Sequence, residues 1–244
     1  MPSHQFPSLE KKLKRKLKKN SGADVSLKGP SANPSPSPSA DTDAGDGDAN
    51  LAHRTWLQSF VAFNLNITHA FSTHPKILVV GLNGPVIGLS AALCGFADFV
   101  YAVPSAFLLT PFSSLGLVAE GGASCALVRR LGLPKANEAL IMSKRLGCDE
   151  LLATGFVNKV FADCARGEHD KFRARVLAEI DDRLGDHLVG DSLLGIKALI
   201  RRPERELLER QNVAEVFAGL DRFVSGVPQQ EFFKIATGKK KHKL

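Results

Sequence analysis

A short apolar run that ends in a turn constrains the fold of this chain more than any other feature. The run covers residues 76–82 (KILVVGL) and stops at Asn83-Gly84-Pro85. Continuous apolar character rich in β-branched residues is typical of a strand buried on both faces, as in a layered α/β domain. Small residues follow over 88–94 and predict a helix that packs close to backbone. The opening of the domain therefore combines a buried strand with a helix.

The same alternation continues along the chain. Apolar runs predict further strands at 99–103, 106–109 and 156–161, and helical periodicity appears over 56–71, 120–130, 134–142 and 149–154. After Asp170 the pattern is helical almost throughout. Strands that alternate with helices favour a layered α/β architecture, so we expect an α/β domain with a helical C-terminal extension.

The terminal segments differ in composition from this core. Seven lysines and arginines lie between residues 11 and 19, and they equal the net charge of +7. The basic character therefore belongs to a tail (1–20) and not to a folded surface, which argues against nucleic-acid binding. Residues 28–50 are rich in Pro, Ser, Asp, Gly and Ala, a composition that predicts a disordered loop.

Several functional classes find no support in the sequence. No apolar run approaches the roughly 18 residues that predict a membrane span. The four cysteines form no CxxC pair, so we interpret them as reduced thiols, mostly in packing roles. The seven histidines show no metal-ligand spacing, and we expect no metal site.

Two adjacent segments carry a recognisable motif. Residues 82–93 (LNGPVIGLSAAL) followed by 97–102 (ADFVYA) resemble the N-G-x-A-x-G-x-G-x-x-L and later A-D segments of the enoyl-CoA hydratase/isomerase (crotonase) family. Further landmarks match at Pro111 and over 115–116, 121–122, 131–132 and 153–159. The likeness spans 72–161, and the helix over 55–71 is similar to that of fungal peroxisomal Δ3,Δ2-enoyl-CoA isomerases in this family.

The resemblance implies a crotonase-like spiral of ββα units over residues 21–162. It also implies that 163–238 form a helical oligomerisation region, so that the protein assembles as a homotrimer or hexamer. Family members place several strands before their G-A-D loop, whereas only twenty residues precede it here. We therefore expect a core that lacks its N-terminal strands.

The resemblance also assigns an active site. Glu120 is the expected catalytic base, and its apolar neighbours are of the kind that raise a carboxyl pKa. Backbone N–H groups of Ala23 and Leu89 are expected to form an oxyanion hole, which stabilises the enolate oxygen. The remaining substrate-binding positions are Ser21, Gly22, Asp24, Gly88 and Gly121. The two carboxylates used by hydratases correspond to Ala92 and Phe112, so two-carboxylate hydration is not expected.

These assignments predict an isomerase that converts 3-enoyl-CoA to trans-2-enoyl-CoA in fatty-acid β-oxidation, with an acyl-CoA substrate and no cofactor. Two alternatives stay open. One is a non-catalytic crotonase-like subunit that assembles with intact homologues, and the other is a different family activity such as dienoyl-CoA isomerisation. A nucleic-acid-binding protein is the least favoured interpretation.

The C-terminal residues 239–244 form a second basic tail. Its last three residues, His242, Lys243 and Leu244, resemble the S-K-L peroxisomal address. Fungal isomerases of this type carry similar endings. We therefore expect recognition by a peroxisomal import receptor and a location in the peroxisomal matrix.

Overall fold

The computed structural model describes residues 44–241. Ten α-helices are described there: α1 (Ala44–Trp56), α2 (Ala62–Ser72), α3 (Leu89–Leu93), α4 (Ala123–Leu131), α5 (Leu133–Leu140), α6 (Cys148–Ala153), α7 (His169–Leu184), α8 (Gly190–Arg201), α9 (Arg205–Val224) and α10 (Val227–Ala236). A π-helical turn, Leu57–Val61, joins α1 to α2. The strands are β1 (Val79–Leu82), β2 (Val86–Ile87), β3 (Phe99–Ala102), β4 (Phe107–Leu109), β5 (Leu146–Gly147) and β6 (Lys159–Val160).

The described strands form two small sheets. In the first, β3 lies between β1 and β6, and both pairings are parallel, with Val79 opposite Phe99. In the second, β4 pairs with β2 in parallel and with β5 in antiparallel. The strands predicted over 76–82, 99–103 and 106–109 are present with shorter bounds. The strand predicted over 156–161 contracts to β6, and the two-residue strands β2 and β5 were not predicted.

The main core fills the space between these sheets and the surrounding helices. Its fully buried side chains are large and apolar, and each contributes about 1.5–3 kcal/mol through removal from water: Leu108, Leu127, Leu146, Leu151 and Phe156. Alanines at 91 and 92 are also fully buried, which lets α3 pack closely, as its small residues predicted.

A second core joins the beginning of the described chain to its C-terminal helices. Trp56 and Phe60 from the first helical stretch pack against Val216, Leu220 and Phe223 of α9. The rings of Trp56 and Phe223 stack with centroids 4.4 Å apart. This packing fixes the position of α9 beside α2.

One part of the expected loop is helical instead. The loop was predicted over 28–50, but α1 begins at Ala44, so the prediction is wrong for residues 44–50. Polar composition favoured a loop there. The buried Trp56 and Phe60 anchor the helix to α9, and helix propagation from an anchored segment costs far less than nucleation. Residues 28–43 lie outside the described part of the chain.

The aspartate of the A-D segment connects the core to α8. Asp98 accepts hydrogen bonds from the Leu78 N–H (2.7 Å), from Lys197 Nζ (2.7 Å) and from the Arg201 guanidinium (2.9 Å). These two ion pairs hold α8 against the core. The helices α7 to α10 confirm the helical pattern predicted after Asp170. Within 44–241, none of the helices is long and apolar enough to cross a membrane.

Candidate active site

Glu120 lies on a sharp turn immediately before α4. The next two residues, Gly121 and Gly122, have φ values of 68° and 71°. Two consecutive left-handed residues suit glycine, because a Cβ in this conformation meets the following carbonyl oxygen. Gly122 is the N-cap of α4. The double-glycine turn therefore connects Glu120 directly to the start of α4.

A second glycine turn precedes α3. Gly88 has a φ of 63°, and its N–H donates to the carbonyl of Leu109 on β4 at 2.9 Å. Leu89 is the first residue of α3. Its N–H finds no backbone or side-chain acceptor among residues 44–241. First-turn helix donors lack an intrahelical partner, so this group is free to bind an acceptor from outside the helix.

The two turns lie against each other. A Cβ placed on Gly121 would come within 2.7 Å of Leu89 Cδ1 and 3.0 Å of Ala92 Cβ. A side chain at this position would force Leu89 and Ala92 to shift, so glycine allows the close approach. The structure thus brings together Gly88, Leu89, Glu120 and Gly121, which sequence reasoning had assigned to one site from separate segments.

The surroundings of Glu120 favour its protonated form. Leu117 and Ala119, which precede it, are partly buried against the main core. The residue keeps part of its own surface accessible. Burial of the carboxylate raises its pKa to about 7, and the negative charge of Glu215 adds to the rise. A group with this pKa can both accept and return a proton near neutral pH.

Glu215 on α9 was not identified from the sequence. Its Oε2 accepts a hydrogen bond from the N–H of Gly122 at 2.7 Å, and its Oε1 accepts one from the N–H of Ser124 at 2.8 Å. The side chain is buried. One signal could have drawn attention to it, since Glu215 interrupts the buried stripe that Val216 and Leu220 form on α9.

The two positions that correspond to hydratase carboxylates are apolar and buried. Ala92 lies in α3 and Phe112 follows β4, and both belong to the main core. Neither can polarise water. Within residues 44–241, the carboxylates at this turn are those of Glu120 and Glu215.

Other predicted site residues lie outside the described part of the chain. Those of the expected G-A-D loop are Ser21, Gly22, Ala23 and Asp24, and those of the expected address are His242, Lys243 and Leu244. Their roles stay predictions.

The described residues contain no group of three or more His, Cys, Asp or Glu side chains that could hold a metal ion. All four cysteines are free thiols, and Cys94, Cys148 and Cys164 are buried. Burial raises the pKa of Cys94 to about 12, so it remains an unreactive thiol. The packing role predicted for most cysteines is confirmed.

Comparisons with known proteins agree with this architecture. Residues 49–182 match the family model described as enoyl-CoA hydratase/isomerase. A Delta(3,5)-Delta(2,4)-dienoyl-CoA isomerase of Pyricularia oryzae is 72% identical over 198 residues, which is 80% of this chain and 71% of that protein. The 3,2-trans-enoyl-CoA isomerase of Saccharomyces cerevisiae is 35% identical over 190 residues, covering 78% of this chain and 67% of the relative.

A solved structure shows the same fold. The enoyl-CoA hydratase/isomerase of Pseudoalteromonas atlantica superposes with a TM-score of 0.64 at 28% identity, covering 72% of this chain and 68% of the other. Two small three-stranded sheets surrounded by helices, together with this superposition, define an α/β protein of the crotonase fold. The chain belongs to the enoyl-CoA hydratase/isomerase family, as its motifs indicated.

Proposed function

We propose that this protein is an isomerase that moves a carbon–carbon double bond in an unsaturated acyl-CoA thioester, with Glu120 as the proton-transferring group. One observation carries the proposal: a carboxylate with a pKa of about 7 lies on the turn packed against Leu89, whose backbone N–H is free among the described residues. The isomerase names of two relatives support the same class of reaction.

The arrangement suits proton abstraction beside a thioester carbonyl. Removal of a C2 proton by Glu120 places negative charge on the thioester oxygen. The N–H of Leu89 donates to that oxygen, and one such donor contributes about 3 kcal/mol to the transition state. The N–H of Ala23 is proposed as the second donor. Glu120 then returns the proton at C4, which leaves the double bond between C2 and C3.

Nothing in this cycle changes the oxidation state of the substrate overall. The same proton is removed and returned, so the reaction requires no electron carrier, and we propose that the enzyme uses no cofactor. One carboxylate suffices to move a proton from C2 to C4, because both carbons are bonded to C3 and lie close enough for one group to reach them from the same face of the acyl chain. We therefore propose 3-enoyl-CoA as the substrate and trans-2-enoyl-CoA as the product.

A second candidate reaction is the conversion of a 3,5-dienoyl-CoA to a 2,4-dienoyl-CoA. The 72% identity to a relative named for this activity favours it. In this reaction a proton is removed from C2 and another is added at C6, so a proton donor must lie near C6 of the acyl chain. Glu215 is the other carboxylate at the turn, but both of its oxygens are engaged by backbone N–H groups. The geometry of the described residues therefore favours the shorter shift.

The decisive experiment measures both reactions with the purified protein. The parent and Glu120→Gln receive a 3-enoyl-CoA and, separately, a 3,5-dienoyl-CoA, and formation of each conjugated product is followed by its ultraviolet absorbance. We expect the parent to convert the 3-enoyl-CoA. We expect kcat to fall by about 10³-fold or more in the variant, because the other carboxylate at the turn within residues 44–241, Glu215, is engaged by two backbone N–H groups. Faster turnover of the dienoyl-CoA would transfer the assignment to the second candidate.

A folded parent that converts neither substrate would contradict the catalytic assignment. The chain would then be better described as a non-catalytic subunit. That alternative expects capture of a longer homologue from the native organism, in a complex whose activity depends on the homologue alone.

We further propose that the chain forms a homotrimer or homohexamer. Helix α8 carries exposed apolar side chains at Ile196, Leu199 and Ile200, which a second copy could cover. Light scattering coupled to size exclusion gives the mass directly, and a monomer at micromolar concentration would refute the assembly.

Peroxisomal import through the C-terminal tripeptide is also a proposal. A mouse relative that is 29% identical bears the name Enoyl-CoA delta isomerase 3, peroxisomal. An N-terminal fluorescent fusion is expected to accumulate in peroxisomes, and deletion of residues 242–244 is expected to disperse it. Unchanged peroxisomal signal after the deletion would contradict the role of the tripeptide.

A further inference from the structure

Glu215 is a buried acid that the proposed reaction does not use. It lies on α9, 93 residues away in sequence from the glycine turn, and its two oxygens accept hydrogen bonds from Gly122 N–H and Ser124 N–H. A surface helix would normally place a glutamate in water, since burial of a carboxylate costs several kcal/mol unless it is hydrogen-bonded. Its position therefore calls for a specific role.

The hydrogen bonds of Glu215 act on the segment that carries Glu120. Gly122 follows Glu120 by two residues and begins α4, and Ser124 lies in the first turn of that helix. On the other side of the turn, a Cβ on Gly122 would meet Phe96 Cζ at 2.5 Å and Thr68 Cγ2 at 3.3 Å. The turn is thus held between Glu215 and the side chains of two neighbouring elements.

The helix that carries Glu215 is itself firmly placed. Val216, the next residue, is fully buried in the second core, and Gly219 lies where a Cβ would come within 2.7 Å of the Phe60 ring. Asn212, one turn earlier, donates to the carbonyl of Leu65 on α2 at 3.3 Å. These contacts leave the carboxylate of Glu215 little freedom to move.

We propose that Glu215 is a positioning residue for catalysis, which holds the Glu120–Gly122 turn through two backbone hydrogen bonds and presents its negative charge to Glu120. The inference rests on the proposed role of Glu120 as the base. It assigns a part of the active site to the C-terminal helical region, which the sequence had suggested only for oligomerisation.

Other ionisable groups do not compete for this role. The turn and the helices α2 and α4 that pack against Glu215 carry the following: Glu120, His69, Cys125, Arg129 and Arg130. His69 pairs with Glu209 at 2.8 Å, Arg129 pairs with Glu204, and Arg130 donates to the carbonyls of Ala97 and Phe156. Burial, then the charges of Glu215 and Glu204, raise the pKa of Cys125, so this thiol is neutral at working pH.

The two carboxyl groups are distinguished by their hydrogen bonds. Burial raises the pKa of Glu215, but N–H donors from Ser124, Gly122 and Ala123 oppose the rise by stabilising its charge. No such donor is recorded for Glu120 among the described residues, and the charge of Glu215 adds to the effect of burial there. The N–H donors thus favour the charged form of Glu215, whereas Glu120 keeps its proton until about neutral pH.

The test compares Glu215→Gln with the parent. Glutamine keeps the size of the side chain and one acceptor oxygen but removes the charge. The midpoint of Glu120 is read from the ¹³C signal of its carboxyl group, identified as the signal absent from Glu120→Gln, so that this measurement needs no turnover. We expect the midpoint to move to lower pH by about one unit in Glu215→Gln, with the acid limb of kcat/KM moving in the same direction.

The matched control is Glu209→Gln, which removes a charge from the exposed side of the same helix. It is expected to leave both the Glu120 midpoint and kcat unchanged. A parental midpoint in Glu215→Gln would overturn the inference and reduce Glu215 to a structural residue. An active Glu120→Gln would instead refute the proposed function, and the two failures are therefore distinguishable.

Should Glu215→Gln fail to fold, Glu215→Asp provides the second arm. The shorter carboxylate keeps the charge but cannot reach both N–H groups. We expect the Glu120 midpoint to stay near that of the parent while kcat falls about tenfold, because the base is displaced by a fraction of an ångström to about 1 Å. Parental kcat in this variant would overturn the positioning role.

Discussion

Substitution of Gly121 by alanine tests the contact that brings the two glycine turns together. Gly121 has a φ of 68°, which costs an alanine about 1–2 kcal/mol. The new Cβ would also lie 2.7 Å from Leu89 Cδ1 and 3.0 Å from Ala92 Cβ. Leu89 Cδ1 is the end of a flexible side chain and can turn aside, whereas Ala92 is fully buried and must shift by a few tenths of an ångström, and overpacking of this kind costs about 1–3 kcal/mol. The expected loss of unfolding free energy is therefore about 2–5 kcal/mol.

A matched control separates the steric contribution from the backbone strain. Gly226, at the N-terminus of α10, has a φ of 73° and no atom within 4 Å of its ideal Cβ. Gly226→Ala should lose only the strain, about 1–2 kcal/mol. Urea unfolding can be followed through the fluorescence of Trp56, the single tryptophan, which stacks on Phe223.

Activity gives a second measure of the same contact. Alanine at 121 pushes Glu120 away from Leu89, and a displacement of about 1 Å can lower the rate by about 10²-fold. We expect Gly121→Ala to lose activity under conditions where it is fully folded, whereas Gly226→Ala keeps the parental kcat. Equal unfolding midpoints and equal rates for the two variants would refute the packing of the Gly121 turn against α3.

Two further predictions concern charges. Burial disfavours ionisation of Asp98, but hydrogen bonds from Leu78, Lys197 and Arg201 outweigh it and hold the pKa of the carboxyl below its usual value. Asp98→Asn should therefore destabilise the fold by about 3 kcal/mol at pH 7. Thermal melts should show that the stability difference between parent and variant shrinks below about pH 4, where the parent also loses the charge. A stability difference that does not change with pH would contradict the ion pairing of Asp98. The carboxyl of Glu120 affects stability in the opposite direction. Its folded pKa of about 7 lies above the value in the unfolded chain, so the free energy of unfolding decreases as pH rises toward neutrality. Glu120→Gln should thus be more stable than the parent by a few kcal/mol at pH 8 and similar to it at pH 4.5, and equal melting temperatures at pH 8 would show that the carboxylate is well solvated.

Local sequence patterns determined the order of the elements. The run over 76–82 identified β1 because an unbroken β-branched stretch has few other uses, and the glycines at 88 and 121 indicated turns. Patterns could not give the two-residue strands β2 and β5, which exist only because β4 provides a partner for each. The helical state of residues 44–50 likewise depends on Trp56 being anchored by α9.

Some residues of the candidate site could likewise be identified from local sequence patterns, and one could not. The motif around Leu89 and the apolar residues before Glu120 were enough to nominate both residues, because the residues that indicate each role are its neighbours in the sequence. Glu215 interrupts the buried stripe of α9, but its role could not be nominated in this way, because its partners are backbone N–H groups 91 and 93 residues away in sequence. The sequence by itself determined the family and the glycine turn, and it nominated Glu120 as the base. The packing of α9 against α2 and α4 decided which second carboxylate lies at this turn, because only tertiary contacts can bring a buried charge to a helix terminus on a distant segment.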